Sequence, residues 1–392
     1  MPPDQDPAQS YPDPNGAAKR PLHVVQVLPA LDAGGVERGT LEVAGALVRA
    51  GHRSTVIAAG GRLAESLVKA GSEHLDWPVG EKRLSTLRWI ARLRDWLRAE
   101  RPDILHLRSR LPAWIAYLAW RGLPAQGRPR LVTTVHGPYT VNRYSTVMTR
   151  GERVIAVSET IRDYILANYP RIDPARIRVI PRGVSRAEFP YGYRPDSRWQ
   201  AQWKARFPQL AGRFVVTLPA RITRWKGQET FIDLIEALRG DGVDAHGLVV
   251  GGIEPRRRAY AEALRARIHA RRLDEHISLL GHRSDLREVL AISNAVVSLS
   301  NEPEAFGRTT IEALSLGRPV AGYDHGGVGE QLREVFPQGA VKPGDLSGMI
   351  WLLTRWANAP SVVPAEHPYT LERMLTATLE LYSELARVTE TG

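Results

Sequence analysis

The sequence predicts an α/β fold built from two doubly wound domains with parallel sheets. Short apolar runs alternate with helical patterns along the chain, and this alternation is typical of parallel strands joined by helices. The chain has 392 residues, more than one hydrophobic core usually accommodates. A segment rich in Pro, Tyr and Trp, Ser185–Gln209, interrupts the alternation. We therefore place a domain boundary near residue 187, with one domain at 21–187 and another at 188–368.

The first series opens with the apolar run Leu22–Leu31, which predicts a buried strand. It leads through Gly34 and Gly35 into the helical stretch Val36–Ala50. A glycine pair at this place either brings backbone N–H groups close to a ligand or forms only a tight turn, and both interpretations stay open. The series continues with strands at His52–Ala59, Asp103–Leu107, Leu131–Val135, Val154–Val157 and Arg178–Pro181, and helices at Leu63–Ala70, Leu84–Glu100 and Glu159–Asn168.

One predicted helix of this series, Leu84–Glu100, is strongly amphipathic. Its apolar residues recur on one side, and four arginines occupy the other faces. Arginine on a polar face with Trp at its boundary is typical of helices on anionic membrane surfaces. The same pattern fits an ordinary crossover helix that leads into the next strand. We favour the crossover helix, with which a membrane contact is compatible.

Polar residues follow two predicted strands of the first domain. Arg108 and Arg110 come directly after Asp103–Leu107, and His136 follows Leu131–Val135. Open α/β sheets bind ligands at the carboxyl ends of their strands. His136 precedes Gly-Pro and is well placed for a ligand, although a loop histidine bonded to the backbone is an equal alternative.

The second series begins with the strand Phe214–Ala220 and the helix Gln228–Leu238. Between them, Arg221 and Lys226 lie five positions apart, and Gly227 opens the helix. The loop is either a solvated basic turn or an anion clamp, and we favour the clamp because it lies at a strand end. The remaining predicted elements are strands at Leu248–Gly252, Ile277–Leu280, Ala295–Leu299 and Pro319–Tyr323, and helices at Glu254–Arg272, from Ser284, and at Tyr369–Ala386.

The stretch Ser300–Val320 carries two glutamates, Glu304 and Glu312, eight positions apart. It follows an apolar strand and ends its helical pattern near Gly317, so Glu304 falls in a strand-to-helix loop and Glu312 in the first turns of the helix. Carboxylates beside a helix N-terminus that binds phosphate suit the hydroxyls of a nucleotide sugar. A solvated loop glutamate and an ordinary N-terminal helix glutamate are the alternative, and spacing alone does not decide between them.

Composition narrows the function classes. The absence of cysteine excludes disulfides, thiolate metal sites and cysteine nucleophiles. The net charge of +11 suits an anionic membrane, nucleic acid or a phosphorylated substrate, although solvated arginine-rich helices account for much of it. No zinc-finger or RNP pattern is present, so we expect no nucleic-acid partner. The composition of residues 1–20 predicts a disordered tail rather than a signal peptide. The apolar run Leu111–Trp120 is too short to span a bilayer.

Seven motifs, in order along the chain, resemble those of glycosyltransferase family 4, whose members have the GT-B fold. They extend over nearly the whole chain after residue 20. The resemblance implies two Rossmann-like domains facing a central cleft, an N-terminal domain for the acceptor and a C-terminal domain for the nucleotide-sugar donor. It also implies a C-terminal helix, at 369–390, that packs back on the N-terminal domain. The motifs are Ala33–Gly35, Thr134–Gly137, Val154–Glu159, Val179–Val184, Ala220–Gly227, Leu280–Leu286 and Glu304–Val320.

The resemblance implies a retaining transfer of a sugar without a cofactor or metal ion. The only Asp-x-Asp sequence, Asp4–Asp6, falls in the predicted tail. By this resemblance Arg221 and Lys226 hold the donor diphosphate and neutralise the leaving group, and Glu304 contacts the transferred sugar. The other implied roles are ribose binding by Glu312, a position near the sugar for His136 and backbone approach at Gly35. We also expect base contacts around Gly252 and His282, donor contacts at Phe306, Gly307, Arg308 and Thr309, and a backbone cradle for the diphosphate at Gly307–Thr310.

Three segments, Arg108–Trp114, Thr133–Ser145 and Val179–Phe189, are similar to bacterial lipopolysaccharide core glycosyltransferases. This similarity implies transfer of a hexose, with mannose from GDP-mannose favoured, to an anionic glycolipid at the inner face of the cytoplasmic membrane. The alternatives are a transferase or synthase for a soluble acceptor and, less favoured, a non-catalytic basic module binding membrane or nucleic acid. The family often has Asn where this chain has an arginine before Gly183. The implied acceptor-binding residues are Arg108, Arg110, Arg143 and Arg182.

Overall fold

The computed structural model describes residues 20–32 and 34–387, and its contacts form two compact units. The first unit contains the chain up to Val157, Ile161–Ile180 and the segment from Met374. The second unit contains Ser158–Thr160 and Pro181–Arg373. The predicted tail at 1–20 lies outside the described residues apart from its last residue.

The first unit contains a parallel sheet whose strands are β1 (His23–Ala30), β2 (Arg53–Ala59), β3 (Glu73–Asp76), β4 (Ile104–Leu107), β5 (Arg130–Val135), β6 (Arg153–Ala156) and β7 (Ile177–Val179). The helices between them are α1 (Gly35–Arg49), α2 (Ala64–Lys69), α3 (Arg88–Glu100), α4 (Arg110–Arg121) and α5 (Glu159–Asn168). The strand order is β3-β2-β1-β4-β5-β6-β7. Because the order reverses between β1 and β4, their carboxyl ends flank the crevice where such sheets bind ligands.

The central strand β1 shows why this sequence forms a buried parallel strand. Val24, Val25, Val27 and Leu28 have no exposed surface. Successive side chains of a strand point to opposite faces, so a run of buried neighbours means that both faces of the sheet are covered. Backbone pairing then continues on both sides of β1, to β2 and to β4.

The second unit contains the parallel strands β8 (Phe214–Leu218), β9 (Ala245–Val250), β10 (Ile277–Gly281), β11 (Ala295–Ser298), β12 (Val320–Tyr323) and β13 (Ala340–Val341). Its helices are α6 (Ser197–Arg206), α7 (Gln228–Gly240), α8 (Arg258–Ala270), α9 (Leu286–Ile292), α10 (Arg308–Ser315), α11 (Gly326–Val335) and α12 (Leu346–Asn358). The strand order is β10-β9-β8-β11-β12-β13, and it reverses between β8 and β11. The two sheets confirm the predicted pair of parallel α/β domains.

The second unit begins earlier than residue 187. Val184 forms a parallel bridge with Thr370, and both Val184 and Phe189 are buried in the core of this unit. The segment after Pro181 therefore packs as part of the second unit, although its Pro, Tyr and Gly residues are typical of a linker.

The predicted helix Leu84–Glu100 is shorter in the structure. Its first four residues, Leu84–Leu87, form a 3₁₀ helix whose two leucines are exposed. The α-helix α3 buries Trp89, Leu93 and Leu97 and connects β3 to β4, as the crossover interpretation predicts. Among the helices of the described residues, none is both long enough and apolar enough to cross a bilayer.

Five elements of the structure are absent from the sequence-based prediction: β3, β13, α4, α11 and α12. The strands are short edge strands, with four and two residues. Helix α4 carries Pro112 in its first turn, where proline is tolerated because the N–H groups have no partner within the helix. Helix α12 begins after Asp345, whose carboxylate accepts the Gly348 N–H at 2.8 Å.

The last helix, α13 (Leu371–Arg387), belongs to the first unit from Met374 onward. Its Tyr382 is fully buried, and the hydroxyl lies 2.6 Å from Nδ1 of His106 on β4. The other ring nitrogen, Nε2, lies 2.6 Å from Oγ1 of Thr134 on β5. Burial, with the nearby Arg108 charge, holds the pKa of His106 well below its usual value. A neutral histidine therefore joins α13 to the middle of the sheet.

Candidate functional site

The candidate site of the second unit lies at the carboxyl ends of β8 and β11, where the strand order reverses. The loop after β8 carries Arg221 and Lys226, and the loop after β11 carries Glu304. Because β8 and β11 are paired neighbours, the two loops meet at one edge of the sheet. The Asn301 N–H donates to the Trp225 carbonyl at 2.8 Å and joins them.

A glycine in the left-handed conformation allows this approach. Gly227 has φ 76°, and a Cβ at this position would lie 2.1 Å from the Leu299 carbonyl oxygen. Any other residue would therefore separate the loop from β11. Gln228 closes the loop by donating from Nε2 to the Arg221 carbonyl at 2.9 Å. Within the described residues, the buried Thr223 hydroxyl has no hydrogen-bond partner.

Lys226 and Glu304 form an ion pair at the meeting point of the two loops. Lys226 Nζ lies 2.7 Å from Glu304 Oε2, and the side chains are only 14% and 17% exposed. Ser300 donates to the second carboxylate oxygen, and the ammonium lies 4.2 Å from the centroid of the Trp225 ring. Each charge is shielded from water and depends on the other for compensation. A bound anion could take the place of the carboxylate as the partner of Lys226.

Two glycines after β12 bring α11 against the backbone of Glu304. A Cβ on Gly326, which has φ 60°, would lie 2.7 Å from the Glu304 nitrogen and oxygen. The Gly327 N–H donates to the Glu304 carbonyl at 2.8 Å, and His325 Nε2 lies 2.8 Å from the Ser300 carbonyl. Sequence reasoning assigned these residues and Ser300 no role. The glycine pair at a strand end was a visible signal, but its contact with Glu304 depends on the neighbouring strands.

Helix α10 begins at the same edge. Its N-cap is Gly307, with φ 79°, where a Cβ would lie 2.4 Å from a methyl group of Val328. The first turn of a helix presents N–H groups that can bind an anion, and in α10 this turn includes Arg308 and Thr309. Arg308 Nε lies 2.9 Å from Glu312 Oε1, and the Glu312 side chain is only 7% exposed. The second predicted glutamate is thus buried and held by an arginine one turn earlier.

The two basic residues of the predicted clamp contact different carboxylates. Arg221 is exposed, and its Nη1 lies 3.2 Å from Glu254 Oε1. Lys226 pairs with Glu304 instead. Gly252 and His282 lie side by side, since a Cβ on Gly252 would be 3.7 Å from the His282 Cβ.

Two other predicted residues of the second unit differ in exposure. Phe306 is buried, and its ring packs edge-on against Tyr369 at 5.9 Å between centroids. Its side chain therefore belongs to the core, which leaves only its backbone for the implied cradle. Arg182 is half-buried at the start of the unit.

In the first unit, Arg108 and Gly35 lie at the carboxyl ends of β4 and β1. Helix α1 begins at Gly35. Arg108 is buried, and its Nη1 donates to Gln26 Oε1 at 2.7 Å. It lies against α1 at Gly39, where a Cβ would be 3.2 Å from Nη2. The Arg108 guanidinium therefore supports the β1–α1 junction from inside, and its predicted contact with the acceptor stays a prediction.

The other predicted residues of the first unit lie on α4 and in the loop after β5. The Arg110 guanidinium lies 4.8 Å from the centroid of the Tyr139 ring and donates to Ser145 Oγ at 3.3 Å. The His136 backbone N–H donates to the Tyr139 hydroxyl at 3.2 Å, and His136 itself is half-buried. Arg143 is exposed.

The groups gathered in the second unit include donors of the kind that bind phosphate. Within residues 20–32 and 34–387, no group of three or more His, Asp or Glu side chains is arranged to hold a metal. Lys226, Arg221 and the first turn of α10 are cationic or N–H donors of the kind that bind phosphate oxygens directly.

Two Rossmann-like parallel sheets, with basic and acidic loops at the switch point of the second, are the architecture of GT-B glycosyltransferases. Family models identify the chain further. The model for Glycosyltransferase Family 4 matches residues 33–188, and the model for Glycosyl transferases group 1 matches residues 200–361. Together they match most of the chain, which thus contains a Glycosyltransferase Family 4 domain followed by a Glycosyl transferases group 1 domain. The predicted family is confirmed, whereas the mannosyltransferase type stays a prediction.

Two sequence relatives carry glycosyltransferase names. The 2-deoxystreptamine N-acetyl-D-glucosaminyltransferase of Streptomyces fradiae is 28% identical over 51% of this chain and 46% of its own length. The D-inositol 3-phosphate glycosyltransferase of Jonesia denitrificans is 29% identical over 40% of this chain and 37% of its own length. The chain thus matches less than half the length of these two relatives.

Solved structures match over nearly the whole chain. A glycosyltransferase from Rickettsia africae superposes with a TM-score of 0.80 at 28% identity, covering 94% of this chain and 99% of its own. Anabaena HepE in complex with UDP-glucose gives a TM-score of 0.75 at 18% identity, over 93% of this chain and 100% of its own. The lipopolysaccharide outer core galactosyltransferase WaaB gives 0.63 at 15% identity, over 94% and 98%. The last two are similar in fold alone.

Proposed function

We propose that this protein transfers a hexose, with retention of configuration, from a nucleotide sugar to an anionic glycolipid acceptor. The Lys226–Glu304 ion pair, in the loops that precede α7 and α10, is the observation that carries this proposal. It combines, at one sheet edge, a cation for a diphosphate and a carboxylate for sugar hydroxyls. A non-catalytic basic module would give no reason for these two shielded charges.

The chemistry follows from the change of charge along the reaction. The nucleoside diphosphate gains negative charge as the glycosidic bond to the donor breaks. Lys226, Arg221 and the first-turn N–H groups of α10 stabilise this charge when they are already in place. The diphosphate competes with Glu304 for Lys226, and the released carboxylate becomes an acceptor for hydroxyls of the transferred sugar. Glu312, positioned by Arg308, binds the ribose hydroxyls.

We propose that the acceptor is a lipopolysaccharide core or another anionic glycolipid. In this proposal the enzyme is a peripheral protein on the cytoplasmic side of the inner membrane. The net charge of +11 supports an anionic partner. The similarity in fold to WaaB, named for lipopolysaccharide galactosyl transfer, is compatible with it.

For the donor, mannose from GDP-mannose is favoured. HepE, whose structure holds UDP-glucose, makes UDP sugars the first alternative.

A thermal-shift panel of nucleotide sugars tests the donor. GDP-mannose, UDP-glucose, UDP-galactose and ADP-glucose are compared at equal concentration, and the true donor raises the unfolding temperature selectively, because binding adds about RT ln(1 + [L]/Kd) to the stability. Equal and negligible shifts for the whole panel would contradict a nucleotide-sugar site.

Metal dependence is a separate prediction. Because cationic side chains and helix N–H groups stabilise the leaving diphosphate in this proposal, a chelator should leave the transfer rate unchanged. Nucleotide release is measured with and without EDTA. Complete loss of activity that added divalent metal restores would refute the metal-free mechanism.

A transferase or synthase for a soluble acceptor is the second candidate. The two sequence relatives are named for 2-deoxystreptamine and D-inositol 3-phosphate, both soluble compounds. Nucleotide release distinguishes the candidates, since the proposal requires release to depend on a glycolipid acceptor. Release that a soluble polyol or sugar phosphate supports, with no lipid present, favours the second candidate.

A further inference from the structure

The first unit contains a cavity of about 470 Å³ lined by three arginines, two aromatic rings and a threonine. Its lining residues are Trp114, Arg143, Tyr144, Thr146, Arg150 and Arg171. We call it the arginine pocket. We propose that the arginine pocket binds a phosphate group of a sugar phosphate or a lipid headgroup.

The charges of the pocket are not compensated by carboxylates. Among the residues that the structure describes, Arg143, Arg150 and Arg171 form no ion pair, and no Asp or Glu lines the cavity. Elsewhere in the same unit, Arg130 pairs with Glu152 at 2.7 Å and Arg178 pairs with Glu384 at 3.1 Å. Concentrated guanidinium groups without a counter-charge repel one another, so a bound anion would stabilise this arrangement.

Two of the pocket walls are fixed by contacts within the unit. Trp114 Nε1 donates to the Tyr144 carbonyl at 2.7 Å, which ties α4 to the loop after β5. Arg150 donates to the Tyr117 hydroxyl at 3.1 Å, and its guanidinium lies 5.9 Å from the centroid of the Trp114 ring. The Arg150 charge is thus positioned without a ligand, and a ligand would bind without having to order this part of the pocket.

The backbone that carries Arg143 is fixed as well. Thr146 Oγ1 donates to the Arg143 carbonyl at 2.7 Å, and the Ser145 N–H donates to Asn142 Oδ1 at 2.9 Å. Ser145 Oγ also donates to the Thr140 carbonyl at 2.7 Å.

Phosphate fits these groups better than a single carboxylate does. A guanidinium binds two oxygens of a phosphate with two parallel hydrogen bonds, and a phosphate offers three or four oxygens to several such groups. The half-buried Trp114 ring and the Tyr144 ring, 40% exposed, provide surfaces for an attached sugar or glycerol. The inference rests on the proposed function in one respect, namely that the phosphate belongs to the acceptor.

Binding of two probes to the full chain tests the pocket. Glucose 6-phosphate is titrated by calorimetry, and sedimentation measures binding to phosphatidylcholine vesicles with and without phosphatidylglycerol. We expect binding to at least one anionic probe, weakened by salt because the contacts are ionic. In Arg143→Gln/Arg171→Gln this binding should fall about tenfold or more, because two guanidinium groups that donate charged hydrogen bonds to the anion are lost. Both side chains are exposed, so folding should be unaffected.

Matched controls locate the effect. Arg178→Gln removes an exposed, paired arginine of the same unit and should bind both probes as the wild type does. Lys226→Ala should also keep this binding, which excludes the site of the second unit as its source. Arg150→Lys keeps the charge without the planar fork and should bind more weakly than wild type. If only glucose 6-phosphate binds, the ligand of the pocket is a sugar phosphate. If only the anionic vesicles bind, the ligand is a lipid headgroup.

The inference is overturned if the wild type binds neither probe or if the double variant binds them as tightly as the wild type. A failure of the proposed function has a different signature. In that case the nucleotide panel gives no selective shift, while phosphate binding and its loss in the double variant are unchanged.

Discussion

The two units differ in how the positive charge of their candidate sites is compensated. In the second unit, the cations at the switch point are paired, Lys226 with Glu304 and Arg308 with Glu312. In the first unit, within the described residues, the arginines of the arginine pocket have no carboxylate partner. A paired cation exchanges one anion for another when a ligand arrives, whereas an unpaired cluster attracts any anion. The comparison therefore distinguishes the two proposed sites, a nucleotide-sugar site that also uses its carboxylates in the second unit and a phosphate site in the first.

The largest effect is expected from Glu304→Ala, which removes the acidic half of the paired site. Turnover should fall roughly a hundredfold or more, because a group that acts on the reacting sugar is lost. Affinity for the donor should be largely kept, since Lys226 stays free to bind the diphosphate. Nucleotide release gives the rate, and calorimetry gives the affinity. Glu302→Ala, an exposed glutamate of the same loop, is the control, and unimpaired turnover in Glu304→Ala would exclude the proposed role.

Lys226→Ala should have the next largest effect, on binding rather than on rate alone. Loss of a charged contact to the diphosphate should weaken affinity for the nucleoside diphosphate by about 10- to 100-fold. Titration calorimetry with the diphosphate of the identified donor measures this. Arg224→Ala changes a basic residue of the same loop that is 72% exposed, and it should leave the affinity nearly unchanged. An unchanged affinity in Lys226→Ala would refute the clamp.

A third prediction concerns the neutral polar network of the first unit. Tyr382→Phe removes the hydroxyl next to His106 Nδ1 and leaves a buried polar atom unsatisfied. The free energy of unfolding should fall by about 1 to 3 kcal/mol. Urea denaturation followed by circular dichroism measures the change. Nucleotide affinity should stay the same, and a variant as stable as the wild type would show that the buried contact contributes nothing net.

The smallest effect is expected from a buried histidine of the second unit, His246 on β9. Burial, assisted by Arg213 and His276, lowers the pKa of His246 from 6.5 to about 4. Between these values the unfolded chain takes up a proton that the folded chain does not, so the free energy of unfolding falls as the pH decreases from about 6.5 towards 4. In His246→Gln this part of the acid sensitivity should disappear. Urea midpoints at about pH 7.5 and about pH 5 measure it, and an equal pH effect in both proteins would contradict the prediction.

The sequence was sufficient for the central strands and for the loops that follow them. Leu22–Leu31 and Ala295–Leu299 contain β1 and β11, because continuous apolar runs leave few alternatives in a parallel sheet. Edge strands such as β3 are short and half-exposed, so they lack this pattern. Helix α4 lacks a clear sequence signal because Pro112 interrupts its apolar run, although proline is tolerated in the first turn, where it lies.

The candidate site was less predictable than the fold. Strand-end position indicated Lys226 and Glu304 separately, but their contact arises from the pairing of β8 with β11, which lie far apart in sequence. The same reasoning predicts an acceptor contact for Arg108, and the structure buries this side chain against Gln26. Proximity to a strand end does not determine on which side of the sheet edge a side chain lies. For Arg108 this side is determined by α1, because Gly39 has no side chain and leaves space for the Arg108 guanidinium.

The hydrogen bond between Tyr382 and His106 has a consequence for biosynthesis. The first unit takes its sheet from residues before 181, but the phenol that completes its interior is supplied by α13. During translation, the ribosome must make the whole of Pro181–Arg373 before this helix emerges. Domains generally fold in the order in which they are synthesised. The N-terminal sheet therefore stays incompletely packed until the later domain has been made, and the surface around His106 that α13 covers is exposed to chaperones during that interval.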